Sequence, residues 1–235
     1  MRWINVADYD ELSEQAAQLV VSQLCMKPDS VLGVATGGTP IGMYTRLVKR
    51  YRSGNLSFKS AITFNLDEYV GVRQEEPESY HFYMTQHFYQ YINLPESNRN
   101  IPNGMAADLT VECERYESAI ATSGGIDLQV IGIGQNGHIG FNEPGTSYHS
   151  KTHVIELADS TRKVNAKYFP AGKEVPERAI TMGIQTIMKA RHIILLAYGE
   201  EKREALNQLK NGSRTEAFPA SCLHAHPNVT VLYSE

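Results

Sequence analysis

Val31-Leu32-Gly33-Val34-Ala35, followed without a break by Thr36-Gly37-Gly38-Thr39-Pro40, is an apolar run closed by a glycine pair and a proline. A short run with no polar alternation suits a strand buried on both faces. Thr39 and Pro40 then supply an N-cap and a first helical residue with preset φ. Strand, glycine turn and helix start form the repeating unit of a doubly wound α/β sheet. Similar runs lie at 61–65, 128–133, 153–157, 192–198 and 229–233. Between them, residues 8–26 place Leu12, Ala16, Leu19, Val20 and Leu24 on one helical face with Asp8 as N-cap, and 105–122 and 200–211 supply further crossovers. The reading is a single α/β domain over 1–235. Its sheet is mostly parallel, helices cover both faces, and ligands sit at the carboxyl ends of the strands. The interval 144–178, with Pro144, Gly145, Pro170, Gly172 and Pro176, reads either as a lid over that edge or as an insertion at the edge of the sheet.

Composition narrows the function. With 22 Lys and Arg against 26 Asp and Glu, the formal charge is -4, which leaves no footprint for nucleic acid or anionic lipid. An anionic ligand must be caught by a few local groups. The longest strongly apolar run, 193–198, is too short to span a membrane, and the start Met1-Arg2-Trp3-Ile4-Asn5 has no signal core, so a cytoplasmic chain is expected. Cys25, Cys113 and Cys222 are odd in number and widely spaced, which suits reduced and mostly buried thiols. His149 and His153 lie on a loop-to-strand junction that fixes no ligand geometry, and His224 and His226 before Pro227 read as surface residues. No metal and no cofactor are expected.

Three loops carry chemistry. Thr36-Gly37-Gly38-Thr39 offers hydroxyls, a close backbone approach and the N–H groups of a helix start, a combination suited to phosphate as well as to a capped tight turn. Gly33 and Gly38 have P-loop separation, but Thr39-Pro40 stands where Lys-Ser/Thr is required, so a phosphomonoester fits better than a nucleoside triphosphate. Asn65-Leu66-Asp67-Glu68-Tyr69 brings two carboxylates to the ligand edge, where one could act as a base or as a helix cap. Gly132, Gly134 and Gly137 match a dinucleotide fingerprint, yet Pro144 and Gly145 forbid the helix that must follow it. What remains is His138 between glycines, with Asn136 and Glu143 close by, a proton carrier near neutral pH.

T-G-G-T-P, then F-N-x-D-E-Y, then G-x-G-x-x-G-H-I-x-F-N-E-P, in this order and over essentially the whole chain, closely resemble the glucosamine-6-phosphate deaminase family. The resemblance implies conversion of glucosamine 6-phosphate to fructose 6-phosphate and ammonia, a small-molecule sugar phosphate as partner, and neither metal nor redox cofactor. It implies that Asp67 moves a proton from C2 to C1 of the open-chain sugar, and that His138 assists ring opening while Glu143 and Asn136 orient it. Lys202 matches a phosphate-binding lysine, and Lys167 stands where some members carry a phosphate-binding arginine, beside Thr36, Gly37, Gly38 and Thr39. Many longer relatives have Asp in place of Asn136; an amide holds the imidazole but leaves balancing its charge to Glu143. The rival 6-phosphogluconolactonase shares the architecture and a similar His loop but needs no base for a carbon-bound proton, and the intact Phe64–Tyr69 segment favours the deaminase. Sugar-phosphate sensors of the same fold carry an added DNA-binding domain and a basic stretch, neither of which is expected here.

Longer members of the family are hexamers activated by N-acetylglucosamine 6-phosphate through a site built partly from a C-terminal extension. No such extension is expected after Tyr233-Ser234-Glu235, and His153 and Ile155 stand where an arginine and a lysine would bind the effector. The chain is therefore expected to be a monomer with hyperbolic saturation by glucosamine 6-phosphate, unchanged by the acetylated sugar phosphate. Light scattering and a substrate titration check both parts; a hexameric mass, or sigmoidal kinetics relieved by the effector, contradicts them.

Overall fold

The computed structural model describes residues 1–170 and 172–234; Ala171 within the expected lid interval, Glu235 at the end, and the side chain of Ser160 lie outside the described residues. Among the described residues, strands β1 (Arg2–Asn5), β2 (Val31–Val34), β3 (Ile62–Asn65), β5 (Arg99–Asn100), β6 (Leu128–Gly132), β9 (His192–Tyr198) and β10 (Val229–Ser234) form one parallel sheet in the order β1-β10-β9-β6-β2-β3-β5. The helices that connect and cover it include α1 (Tyr9–Met26), α2 (Ile41–Arg52), α3 (Tyr80–His87), α4 (Leu109–Thr122) and α7 (Arg203–Asn211). The central strands are apolar because both faces are covered: Val31, Leu32, Val130, Ile131, Ile193, Ile194 and Leu195 are all buried. This is the doubly wound α/β architecture expected from the buried runs.

Strand order dictates where a ligand fits. The chain leaves β2 for β3 on one side and later returns through β6 on the other, so neighbouring connections diverge at the carboxyl ends of β2 and β6. The loops that follow β2, β3, β6 and β9 all open on that edge. The opposite edge is clamped by Asp127. Its buried carboxylate accepts from the Val31 N–H at 2.8 Å and from Lys27 Nζ at 2.6 Å and pairs with Arg191, while its backbone carbonyl accepts from the His192 N–H. One side chain thereby stitches β2, β6 and β9 together away from the catalytic edge.

Several sequence expectations need correcting. The run 153–157 is not a strand of the parallel sheet. It forms β7 (His153–Glu156), at the edge of a small antiparallel sheet in the order β4-β8-β7, with β4 (Asp67–Tyr69) and β8 (Arg178–Thr181). A parallel strand requires a crossover, commonly helical, and the glycine- and proline-interrupted stretch after Gly137 supplies no helix before β7. The Asp67–Tyr69 segment, expected as loop, is itself a strand. Helix α2 starts one residue late: Pro40 occupies the N-cap position and no side chain caps the helix. His226 is buried and shares a hydrogen bond with the Ala190 carbonyl at 2.8 Å, whereas Cys25 is exposed. The interval 144–178 holds β7 and a short helix α5 (Asp159–Asn165), followed by a 3-10 turn at Ala166–Tyr168. No helix among the described residues is long and apolar enough to cross a membrane.

Asp127→Ala releases the partly exposed Lys27 and Arg191 side chains to solvent and leaves the Val31 N–H without its acceptor. The expected loss is ~1–3 kcal/mol in urea unfolding, with the turnover of the folded fraction unchanged because the clamp lies on the far edge.

Candidate active site

A cavity of about 1050 Å³ opens at the switch point, lined by all four carboxyl-end loops and by α5. Thr36, Gly37, Gly38, Thr39, Asp67, Asn136, His138, Lys167 and Lys202 line it together; Glu143 stands directly behind Asn136.

The loop after β2 is held by tyrosines the sequence reading did not single out. Tyr83 Oη donates to the Gly37 carbonyl at 2.6 Å, Tyr9 Oη to the carbonyls of Gly38 and Thr39 at 3.0 and 3.1 Å, and Tyr44 Oη to that of Ala35 at 2.6 Å. With the carbonyls tied down, the N–H groups of Gly37, Gly38 and Thr39 have no backbone acceptor among the described residues. Gly37 takes φ +102°, open to glycine but strained for other residues. The result is an anion nest at the start of α2. Two cations complete its surroundings. Burial holds the half-buried Lys202 ammonium below its usual range, opposed by Glu201 and reinforced by the neighbouring charge of Lys167. Lys167 itself is exposed and stands over the Tyr168 ring at 5.0 Å. A bound dianion would relieve the repulsion between the two lysines.

Asp67 and Glu68 are adjacent, buried and differently used. Glu68 accepts the N–H groups of Tyr69, Tyr80 and His81 at 2.8, 3.0 and 3.0 Å, so it fixes β4 to the first turn of α3. Burial pushes its carboxyl up to about 7 even though those bonds oppose the shift. Asp67 lines the cavity with only 6% of its surface exposed, and burial, with Glu68 adding to it, pushes its carboxyl up to about 8. Sheet alternation explains the division: successive side chains of β4 point to opposite faces, one into the cavity and one into α3.

The loop after β6 folds back on itself. The Gly134 N–H donates to the His138 carbonyl at 2.9 Å, and a Cβ on Gly134 would lie 2.2 Å from the His138 ring. Only glycine at 134 leaves space for the imidazole. Asn142 Nδ2 donates to the carbonyls of Ile139 and Met182 at 2.8 and 2.9 Å, and the Phe141 N–H donates to Thr181 Oγ1 at 3.0 Å, pinning the loop to β8. Asn136 then bridges two ionisable groups. Its Nδ2 donates to Glu143 Oε2 at 2.8 Å, and its Oδ1 meets His138 Nδ1 at 2.7 Å and the His138 N–H at 3.2 Å. The His138 backbone N–H can only donate, so the amide must turn its oxygen to His138 and its NH₂ to Glu143. That oxygen requires a proton on Nδ1. The neutral ring therefore keeps its free lone pair on Nε2. Burial lowers the pKa of His138 and Lys202 adds to this, while Glu143, with Oε2 3.8 Å from Nδ1, works the other way.

The structure thus brings together every residue the sequence reading marked for the site. It adds Tyr9, Tyr83, Tyr80 and Thr161, which carried no sequence signal beyond being aromatic or hydroxylated. No cluster of His, Cys, Asp and Glu suited to a metal ion occurs among the described residues.

The family model described as "Glucosamine-6-phosphate isomerases/6-phosphogluconolactonase" matches residues 7–232. A protein of Lysinibacillus sphaericus (strain C3-41) named glucosamine-6-phosphate deaminase is 54% identical over 233 residues, covering 99% of this chain and 98% of its own. A solved structure described as a monomeric glucosamine-6-phosphate deaminase superposes with a TM-score of 0.98 at 50% identity, covering 100% of this chain and 98% of that one. The 6-phosphogluconolactonase from Trypanosoma brucei has the same fold at a TM-score of 0.81 and 19% identity, over 99% of this chain and 95% of its own.

Asp67 makes a sign-definite prediction about stability. Its folded pKa, about 8, lies above its ordinary 3.8, so the folded state keeps a proton that the unfolded chain loses between those values. Stability from this group is complete below about pH 4 and is lost as pH rises toward 8. Asp67→Asn removes that loss. At pH 9 the variant is expected to exceed the wild type by at least ~1 kcal/mol, roughly 2–4 °C in Tm, with the gap closing toward pH 4. Thermal unfolding at the two pH values checks it.

Proposed function

Because the chain belongs to the family of glucosamine-6-phosphate isomerases and 6-phosphogluconolactonases, we propose that this site converts glucosamine 6-phosphate and water to fructose 6-phosphate and ammonia. The observation that carries the reading is the isolated, buried Asp67 carboxyl facing the cavity across from a neutral His138 whose Nε2 is free. A lactonase has no carbon-bound proton to remove and no use for such a base. The deaminases match at 50–54% identity, whereas the T. brucei lactonase shares the fold at 19%.

The phosphate lies in the nest at residues 36–39 against Lys202 and Lys167, which sets C1 and C2 toward the other loops. His138 Nε2 takes the proton of the C1 hydroxyl and returns it to the ring oxygen, opening the ring to the aldehyde. During this step the ring is briefly an imidazolium, and Glu143 balances its charge through the Asn136 amide. Asp67 then removes the C2 proton. The electron pair forms a C1=C2 double bond, and the aldehyde oxygen takes a proton from the substrate's ammonium, which leaves a neutral enolamine. Return of the proton from Asp67 to C1 gives the ketose-like imine. Water adds at C2 and ammonia leaves. These are proton transfers and one addition of water, which makes the net reaction the hydrolysis of a carbon–nitrogen bond and places the enzyme in the hydrolase class.

The raised pKa of Asp67 fits this sequence. The substrate amine is cationic at neutral pH, and an ammonium beside a buried carboxyl favours the carboxylate. Arrival of the substrate thus ionises its own base. A cytoplasmic monomer acting in amino-sugar breakdown follows from the same reading, supported by the monomeric deaminase that superposes on the chain.

Purified protein is expected to release ammonia and fructose 6-phosphate stoichiometrically from glucosamine 6-phosphate and to leave 6-phosphogluconolactone untouched. Asp67→Asn is expected to cut turnover by ~2–4 orders of magnitude while still binding substrate. Lactone hydrolysis, or near-normal turnover in the variant, overturns the reading.

A further inference from the structure

Helix α5 presents two polar side chains four residues apart, on one face, and each reaches a different wall of the cavity. Asn165 Nδ2 donates to the Tyr69 hydroxyl at 3.0 Å, which also receives the Tyr80 hydroxyl at 3.3 Å. Thr161, only 4% exposed, donates its hydroxyl to Oε1 of Glu143. This bond accounts for the second oxygen of a carboxylate whose first is taken by Asn136. Among the described residues, His138 is the one ionisable group within ion-pair distance of Glu143, and both of its hydrogen-bond donors are neutral.

A buried carboxylate with one oxygen left bare would turn toward water. Glu143 has three rotatable bonds, and the hydrogen bonds at its two oxygens fix the last of them. Rotation of Glu143 would withdraw the acceptor that orients the Asn136 amide. The amide could then flip and present NH₂ to His138 Nδ1, which would shift the proton to Nε2 and remove the lone pair facing the cavity. We propose that Thr161 is a positioning residue for His138: from α5 it closes the chain Thr161–Glu143–Asn136–His138 and so holds the imidazole in its Nδ1–H tautomer. The relay is complete only while α5 is docked, which ties the covering of the site to the readiness of its base. The kinetic part of this inference rests on the deaminase reading; the tautomer does not.

Thr161→Val keeps shape and volume but cannot donate, and Thr161→Ser restores the donor. Thr161→Val is expected to lower kcat by ~10–100-fold, as loss of a supporting hydrogen bond does, with KM within about threefold of wild type. Thr161→Ser is expected to recover kcat to within about threefold. In a Glu143→Gln background the valine substitution is expected to cost less than about twofold more, because the bond it removes acts through Glu143. A purely structural Thr161 gives the opposite pattern: loss of Tm without loss of kcat, or the same fractional loss in both backgrounds. Should the valine variant not fold, Thr161→Ala against Thr161→Ser makes the same comparison.

Imidazole ¹⁵N–¹H spectra, with His138 assigned by its absence in His138→Gln, read the tautomer directly. Wild type is expected to show a protected Nδ1–H, and Thr161→Val a mixture of tautomers. Identical His138 spectra in the two proteins overturn the inference. A wild type that releases no ammonia but loses its Nδ1–H on Thr161→Val instead overturns the deaminase reading and leaves the positioning role standing.

Discussion

Leu66 belongs to both sheets, and the site depends on that. Its N–H donates to the Val34 carbonyl of β2 at 3.1 Å, and its carbonyl accepts the Met182 N–H just after β8 at 2.6 Å. Between Asn65 and Asp67 the chain therefore leaves the parallel sheet and enters the antiparallel one. The next side chain after such a seam cannot sink into the core of either sheet, and it is Asp67. Gly140 closes the remaining side: a Cβ there would stand 2.9 Å from Thr181 Oγ1 and 3.5 Å from Asp67 Oδ2. The Asp67 carboxyl is thus buried by main chain and by a glycine.

That burial sets up opposing fates for two neighbours in sequence. Glu68, given three N–H donors, fixes α3 and with it the cavity-lining Tyr80 and Tyr83, of which Tyr83 holds the Gly37 carbonyl of the loop after β2. Asp67, given none of these, carries the desolvation cost as a raised pKa. An apolar or amide side chain in its place would strengthen the fold. The Asp67 carboxyl is a local loss of stability that the Asp127 clamp and the apolar central strands offset elsewhere in the sheet.

What was legible in the sequence follows from physics that acts locally. Buried parallel strands read as apolar runs, so β2, β3, β6, β9 and β10 and the loops at their carboxyl ends could be located, and with them Asp67, His138, Asn136, Glu143 and the nest at 36–39. Lys167 and Lys202 were placed only through resemblance, since neither lies in a pattern of its own. Strands β1, β4, β5 and β8 were missed because charged residues (Arg2, Asp67, Glu68, Arg99 and Arg178) break the apolar run that marks β2 and β3 at similar length. The antiparallel pairing of β7 was misjudged because its composition says how apolar a strand is and nothing of its partner. His226 was placed at the surface from its Pro and Ala neighbours, whereas a carbonyl at the end of α6 (Ile184–Met188), that of Ala190, buries it. Contacts made at long range by single hydroxyls, Tyr9 to Gly38 or Thr161 to Glu143, have no signature along the chain at all.

The amide at position 136 shows how such long-range contacts alter the meaning of a local departure. Read in sequence, Asn136 is a lost carboxylate that leaves the counter-charge of the histidine to Glu143. In the fold, the amide is a two-ended connector: one end can only donate and the other can only accept, so a carboxylate on one side dictates a protonated Nδ1 on the other. An aspartate in the same place would have no donor to offer Glu143, and two carboxylates 2.8 Å apart would have to share a proton or separate. With asparagine, the Glu143 carboxyl meets a donor and not a second carboxyl, His138 keeps its Nε2 lone pair outward, and Glu143 Oε2 remains 3.8 Å from Nδ1. The substitution moves the counter-charge one residue further along the relay and keeps the proton chemistry at Nε2 intact.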